Sequence, residues 1–176
     1  MIFDIEKVDA ARRGDKDSFS QVYESIAPDL YKVALYTLGN AHDAEDVVSE
    51  TFIEAYRGIA KLREPSSFRY WIFKILSARC KHKIAEYIKG KSAYDFEAFS
   101  SSVAAEGEVS SDVAERVALI SAMSMLSEQE RLIVVLSVIN GYTTREIAKI
   151  LGSPTGTISS KLHRALVKLR KILSSS

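Results

Sequence analysis

A chain of 176 residues is long enough for one domain or two small ones, and its 47% hydrophobic content excludes disorder throughout. The formal net charge is +1, and no apolar run approaches the roughly 18 residues that a membrane span needs. The single cysteine, Cys80, excludes an internal disulfide and any zinc cage of several thiolates.

His42, His82 and His163 are scattered without ligand spacing, and no Gly-rich phosphate loop, nucleophile elbow or catalytic carboxylate pair stands out. The expectation is therefore a protein without catalysis, metal or cofactor. The first residues, MIFDIEKVDAARRGD, lack the order of basic, apolar and small segments of a signal peptide, so a cytoplasmic location without membrane insertion is expected.

In chain order, Ile5–Arg13 reads as a short amphipathic helix stopped by Gly14. Asp15 or Asp17 caps the next, which carries Phe19, Val22, Tyr23 and Ile26. Pro28 suits the first turn of a third helix running through Leu30, Val33, Ala34 and Leu38 to Gly39-Asn40. From about Ala44 to Lys61, Val48, Phe52, Ala55, Tyr56 and Ile59 share one helical face. The opposite face presents Asp46, Glu50, Ile53, Glu54 and Arg57. Ile53 is apolar in the middle of charge; spacing alone leaves open whether that face binds a protein.

Pro65-Ser66-Ser67 opens a helix lasting to about Lys89. From Pro65 to Ala85 it holds no acid, while Arg69, Lys74, Arg79, Lys81 and Lys83 supply cations among Phe68, Tyr70, Trp71 and Phe73. Rings that stack on bases and charges that track a backbone are what a single-strand site needs. The competing reading is that the aromatics are core, and it is the better one for Phe68 and Trp71. Residues 90–111, rich in serine, alanine and acids, break every period and read as a linker, although Tyr94, Phe96 and Phe99 are unusual in a spacer. Asp112 restarts a helix through Val117, Ile120 and Met125.

Leu126–Leu173 is read as three short helices. Ser127 with Glu130, and Thr143 with Glu146, have capping-box spacing. Asn140-Gly141 ends one helix and Gly152-Ser153-Pro154 the next. A short helix, a glycine-bearing turn and a longer basic helix form a helix-turn-helix, whose second helix lies in a DNA major groove. In that last helix Ile158, Leu162, Ala165, Leu169 and Ile172 make an apolar stripe. Gly156, Ser160, His163, Arg164, Val167 and Lys171 point away from it, with Lys161 and Lys168 on the flanks. This outer face suits base edges and phosphates; an ordinary bundle with a solvated face is the alternative, and turn chemistry and charge favour DNA. The charge is unevenly distributed. Residues 127–176 hold eight bases against three acids (+5), residues 88–126 three against six (−3), and residues 1–87 thirteen against fourteen (−1).

The halves together resemble an extracytoplasmic-function (ECF) sigma factor of bacterial RNA polymerase. The resemblance rests on DAEDVVSETFIEAYRGI (Asp43–Ile59), FRYWIFKILSARCKHKI (Phe68–Ile84), LSEQERLIVVL (Leu126–Leu136), YTTREIAKILG (Tyr142–Gly152) and SPTGTISSKLHRALVKLRK (Ser153–Lys171). It implies an all-α chain of two small helical domains joined by a linker. Residues 1–89 would be a region-two-like domain, 90–111 an acidic linker, and 112–176 a region-four-like helix-turn-helix domain.

It further implies a factor that binds core polymerase through the β′ clamp helices and the β flap, directs it to promoter DNA, and is restrained by an anti-sigma protein. Asp46, Glu50, Ile53, Glu54 and Arg57 would meet the polymerase. Arg69, Tyr70, Trp71, Lys74, Arg79, Lys81, His82 and Lys83 would hold the unpaired minus-ten strand. Thr157, Ser159, Ser160, Lys161, His163, Arg164 and Lys168 would read the minus-thirty-five duplex. Ala78 stands where many members carry a base-holding asparagine, and His82 where asparagine or aspartate is common. Cations and stacking would then hold the strand in place of an amide. A stand-alone helix-turn-helix regulator that never joins polymerase is the rival; it leaves the Ile53 face without a purpose.

Overall fold

The computed structural model describes residues 4–90, 119 and 121–174, and among these it contains helices and turns but no strand. The expected linker after Gly90, the restart at Asp112 and the aromatics Tyr94, Phe96 and Phe99 lie outside the described residues.

Helix α1 (Ile5–Arg12) is capped by Asp4 and stops ahead of Gly14, whose φ of 101° favours glycine. Helix α2 (Lys16–Leu38) is capped by Asp15, which accepts from the Asp17 amide at 3.1 Å, and ends at Gly39 with φ 67°. The expected break at Pro28 is overturned, because α2 is one helix of 23 residues with Pro28 inside it. Pro28 lacks the amide that would reach the Glu24 carbonyl, but both residues face solvent, where water satisfies that oxygen. The buried stripe Val22, Ile26, Leu30, Val33 and Ala34 runs straight through the proline. Burying each large member is worth about 1.5–3 kcal/mol, which together outweighs the roughly 3 kcal/mol of an interior proline.

Helix α3 (Ala41–Gly58) starts three residues before the periodicity predicted, because Asn40 caps it by accepting from the Asp43 amide at 3.0 Å. Its inner face holds Val47, Val48, Thr51, Phe52 and Ala55. Tyr56, expected inside, is 52% exposed and instead leans edge-on against Phe19 at 5.1 Å. A 3-10 turn, Ile59–Lys61, follows.

Helix α4 (Phe68–Gly90) enters from a second 3-10 turn, Pro65–Ser67. Phe68, Ile72, Phe73, Leu76 and Cys80 are fully buried, so the apolar run was core on more than one side. Trp71 is half-buried across Gly58, where an added Cβ would stand 3.1 Å from the indole. Burial pushes the Cys80 thiol up to about 12.

The C-terminal half comprises α5 (Glu128–Val134), a π-helical turn (Val135–Ile139), α6 (Thr144–Leu151) and α7 (Thr155–Leu173). Both predicted capping boxes form in full, at Ser127/Glu130 and Thr143/Glu146. Gly141 and Gly152 take φ of 70° and 61° at the two breaks. Ile158, Ala165 and Leu169 of α7 are buried, with Leu162 and Ile172 partly so. The two halves share one contiguous core: α4 packs on α6, and α2 packs on α5 and the π turn.

Candidate nucleic-acid and partner interfaces

The Gly152-Ser153-Pro154 turn sets α7 against α5 and α6 through its apolar stripe, which leaves its other side outward. Thr157, Ser159, Ser160, His163 and Arg164 are all exposed there. Ser160 donates to the Thr157 carbonyl at 3.0 Å and Arg164 Nε to the Ser160 carbonyl at 3.3 Å, so the guanidinium lies along the helix. The two flanking lysines are drawn back toward α5. Lys161 donates to Gln129, and Lys168 to both oxygens of Glu130 at 3.0 and 3.1 Å. Burial alone would raise the Glu130 carboxyl. Bonds from the Ser127 amide and hydroxyl and from Lys168 outweigh it and hold the group below its ordinary value.

Sequence reasoning did not single out the depression between α6 and the start of α7, lined by Arg145, Lys149, Ser153 and Thr155. The signal was present as two exposed cations four residues apart on α6, beside an α7 N-terminus that favours anions.

On α3, Asp46, Glu50, Ile53, Glu54 and Arg57 share an exposed face, and Ile53 is 52% exposed. The residues predicted for an unpaired strand on α4 are not gathered on one open surface. Arg79 donates to Glu54 at 2.5 and 3.0 Å and stands 3.5 Å from Glu50, so its bond to Glu54 holds it more firmly protonated. Lys83 pairs with Asp43 at 2.9 Å and is likewise raised. Both therefore tie α4 to the acidic side of α3.

Arg69 and Lys81 turn toward the C-terminal half. Lys81 donates to the Leu151 carbonyl at 2.9 Å, at the negative end of the α6 dipole, and desolvation lowers its pKa. The Arg69 guanidinium lies 5.2 Å from the Tyr142 ring centroid and 6.0 Å from that of Phe73, and donates to the Asn140 carbonyl at 3.4 Å. Phe73 and Tyr142 meet edge-on at 5.5 Å. Burial pushes the Tyr142 phenol up to about 12, despite the opposing charge of Arg69. It also raises Tyr70, with Glu146 of α6 adding to the effect. Of the predicted strand residues, Lys74, His82 and, despite its bond to the Leu151 carbonyl, Lys81 remain exposed, His82 with Nδ1 3.5 Å from Glu86. Trp71 is half-buried over Gly58. Among the described residues no cluster of histidine, cysteine and carboxylates has metal-binding geometry, and no helix is long and apolar enough to cross a membrane.

Two family models match the chain. Residues 22–87 match the family model for Sigma-70 region 2 and residues 116–169 that for Sigma-70, region 4. The chain is 30% identical over 171 residues to an ECF RNA polymerase sigma-E factor of Haemophilus influenzae, covering 90% of this chain and 88% of that one. It is 27% identical over 178 residues to the ECF RNA polymerase sigma factor SigW of Bacillus subtilis, covering 96% and 95%. Two solved structures share the fold. One is CnrH in complex with the cytosolic domain of CnrY (TM-score 0.72, 21% identity, 99% of each chain). The other is RpoE of Bartonella quintana with the anti-sigma factor NepR (TM-score 0.70, 23% identity, 91% of this chain and 98% of that one).

Proposed function

Since the chain belongs to the ECF RNA polymerase sigma factors, we propose that its two halves divide promoter recognition between duplex and unpaired strand. The protein joins core RNA polymerase and directs it to promoters. It works in the cytoplasm by binding alone, with no catalysis of its own. Residues 1–89 and 112–176 are the two working domains, joined by the acidic stretch 90–111.

The observation that carries this reading is the exposed face of α7, small and hydrogen-bonding at its start and cationic further on, mounted on a helix-turn-helix whose first helix is capped at both ends, by Thr143 and Gly152. Thr157, Ser159, Ser160, His163 and Arg164 enter the major groove at the minus-thirty-five element, where each good base contact contributes about 1–3 kcal/mol of discrimination. Arg145 and Lys149 hold the flanking phosphates, which position the helix without reading sequence. Lys161 and Lys168 stand within reach of the same backbone once their side chains leave Gln129 and Glu130. On α3, Ile53 is the apolar anchor of a charged patch that fits the β′ clamp helices; the C-terminal half meets the β flap. Lys74, His82, Tyr70 and Trp71, joined by Arg69, Arg79, Lys81 and Lys83, take the unpaired minus-ten strand.

A factor that only binds shifts duplex opening by holding the open form more tightly than the closed one. Restraint comes from an anti-sigma protein covering these surfaces, a reading supported by the anti-sigma complex of a protein with the same fold. Run-off transcription with purified core polymerase tests the whole assignment: a specific transcript that depends on this chain is expected. A chain that binds promoter duplex but neither co-migrates with core enzyme nor supports a transcript is a stand-alone regulator instead.

A further inference from the structure

The cations around α7 fall into two groups. Arg145, Lys149 and Arg164 stand exposed, Arg164 with its guanidinium along its own helix. Lys161 and Lys168 are instead drawn off the outer face onto two adjacent residues at the start of α5, Gln129 and Glu130. Seven positions separate these lysines, so both lie on one flank of α7, about 10.5 Å apart along its axis.

The bond between Lys168 and Glu130 is not an ordinary surface ion pair. In such a pair two mobile side chains give up freedom to meet, and little is gained. Here the Glu130 side chain is only 12% exposed, against 51% for Lys168. The Ser127 amide and hydroxyl already fix the carboxylate, at 3.0 and 3.1 Å, and the ammonium comes to it. For Lys168 to reach a phosphate, a desolvated carboxylate must give up a charge-assisted bond and be left with Ser127 alone. Lys161, half-buried, is held by the neutral Gln129 amide oxygen, which is the weaker restraint.

We propose that Gln129 and Glu130 set the strength of duplex binding by withholding Lys161 and Lys168 from the DNA backbone. The inference rests on the assignment of α7 as the duplex-reading helix. Phosphate contacts add affinity for every sequence alike and carry no base information. Holding two of them back lowers affinity for all duplexes by a common factor and leaves base preference to the outer face of α7. Glu130 is thus a positioning residue, acting on DNA only through Lys168.

The test measures binding of the full chain to two short duplexes over a range of salt concentrations. One duplex is selected by the parent chain from a random pool, and the other has the same composition scrambled. Glu130→Gln keeps a side chain that can close the capping box and replaces the carboxylate by a neutral amide. The freed Lys168 should add one phosphate contact. That steepens the slope of log affinity against log salt by about 0.9 and tightens both duplexes about eightfold near ~0.1 M salt, with base preference kept. Gln129→Ala should act in the same direction by a smaller step.

Lys168→Ala should cost more affinity in the Glu130→Gln chain than in the parent, because only there is the lysine released. Loss of a negative charge near DNA would also tighten binding, but equally with and without Lys168. Equal costs in the two backgrounds therefore overturn the proposal, as does an unchanged salt slope or a gain confined to the selected duplex. Circular dichroism checks that Glu130→Gln keeps native helicity. If it does not, Gln129→Ala combined with Lys161→Ala decides by the same comparison. Failure of the underlying duplex assignment looks different. Arg164→Ala should weaken the selected duplex more than the scrambled one; if it leaves that preference intact, α7 is not the reader, and the restraint falls with it.

Discussion

Helices α4 and α7 carry similar side chains to opposite ends. Each mixes cations with hydrogen-bonding or aromatic residues, yet in α7 the outward residues serve little in the fold, whereas in α4 nearly every one also holds the fold together. Arg79 and Lys83 fasten α4 to α3, Arg69 and Lys81 fasten it to the C-terminal half, and Phe73 lies in the core and against Tyr142 at once. A reading helix set on a small domain needs one buried stripe and has the rest of its circumference to offer. A helix in the middle of a bundle keeps only a narrow open strip, here Lys74, Ala78, Lys81 and His82, and most of its other cations are held by the protein.

The sharpest way to break that contrast is Phe73→Ala. Deleting a fully buried ring should cost about 3–5 kcal/mol in urea unfolding, while Arg164→Ala should stay within about 0.5 kcal/mol of the parent. Comparable losses would abolish the distinction between the helices. Next in size is Ile53→Asp on α3. The side chain is half exposed, so helicity should be kept while affinity for core polymerase falls by about 2 kcal/mol or more; a complex of normal strength moves the docking surface elsewhere. Arg164→Ala should weaken promoter-duplex binding by about 1–3 kcal/mol and leave single-strand binding alone, and an effect on both would mean the two functions are not separated between helices.

The smallest effect belongs to Glu130, which caps α5 and holds Lys168 of α7. Its folded value lies below the unfolded 4.5. Its contribution is therefore complete above about pH 4.5 and is lost as pH falls through the lower folded value. Glu130→Gln should be about 1 kcal/mol less stable at neutral pH and should show a shallower decline on the acid side. An acid limb as steep as the parent's would point to Glu146, whose carboxyl is held down by the Thr143 amide and hydroxyl.

What could be seen in the residues alone follows from the range of the forces involved. The capping boxes at Ser127 and Thr143, the glycine breaks at 141 and 152 and the outward set of α7 depend on neighbours three or four positions away, and all are as the spacing predicts. Pro28 misled because a local rule was overruled by a buried stripe running past it, and Tyr56 because a helical wheel does not show where the neighbouring helices stop. The engagement of Arg69 with Asn140 and of Lys81 with Leu151 spans 71 and 70 residues. No periodicity reports a contact at that distance, and a run of cations reads the same whether its partners are phosphates or carbonyls. Tyr142 left one trace, an aromatic ring directly ahead of a capping box with no local reason to be there.

Cys80 has a practical consequence. The only sulfhydryl in the chain lies deep in the N-terminal core, fully covered and with its proton held to about pH 12. Maleimides react with the thiolate of accessible groups, so the parent sequence is already a silent background for labelling. A cysteine placed anywhere on the surface, in either half, becomes the one handle that reagents find, and reporters of domain movement need no prior removal of the natural residue.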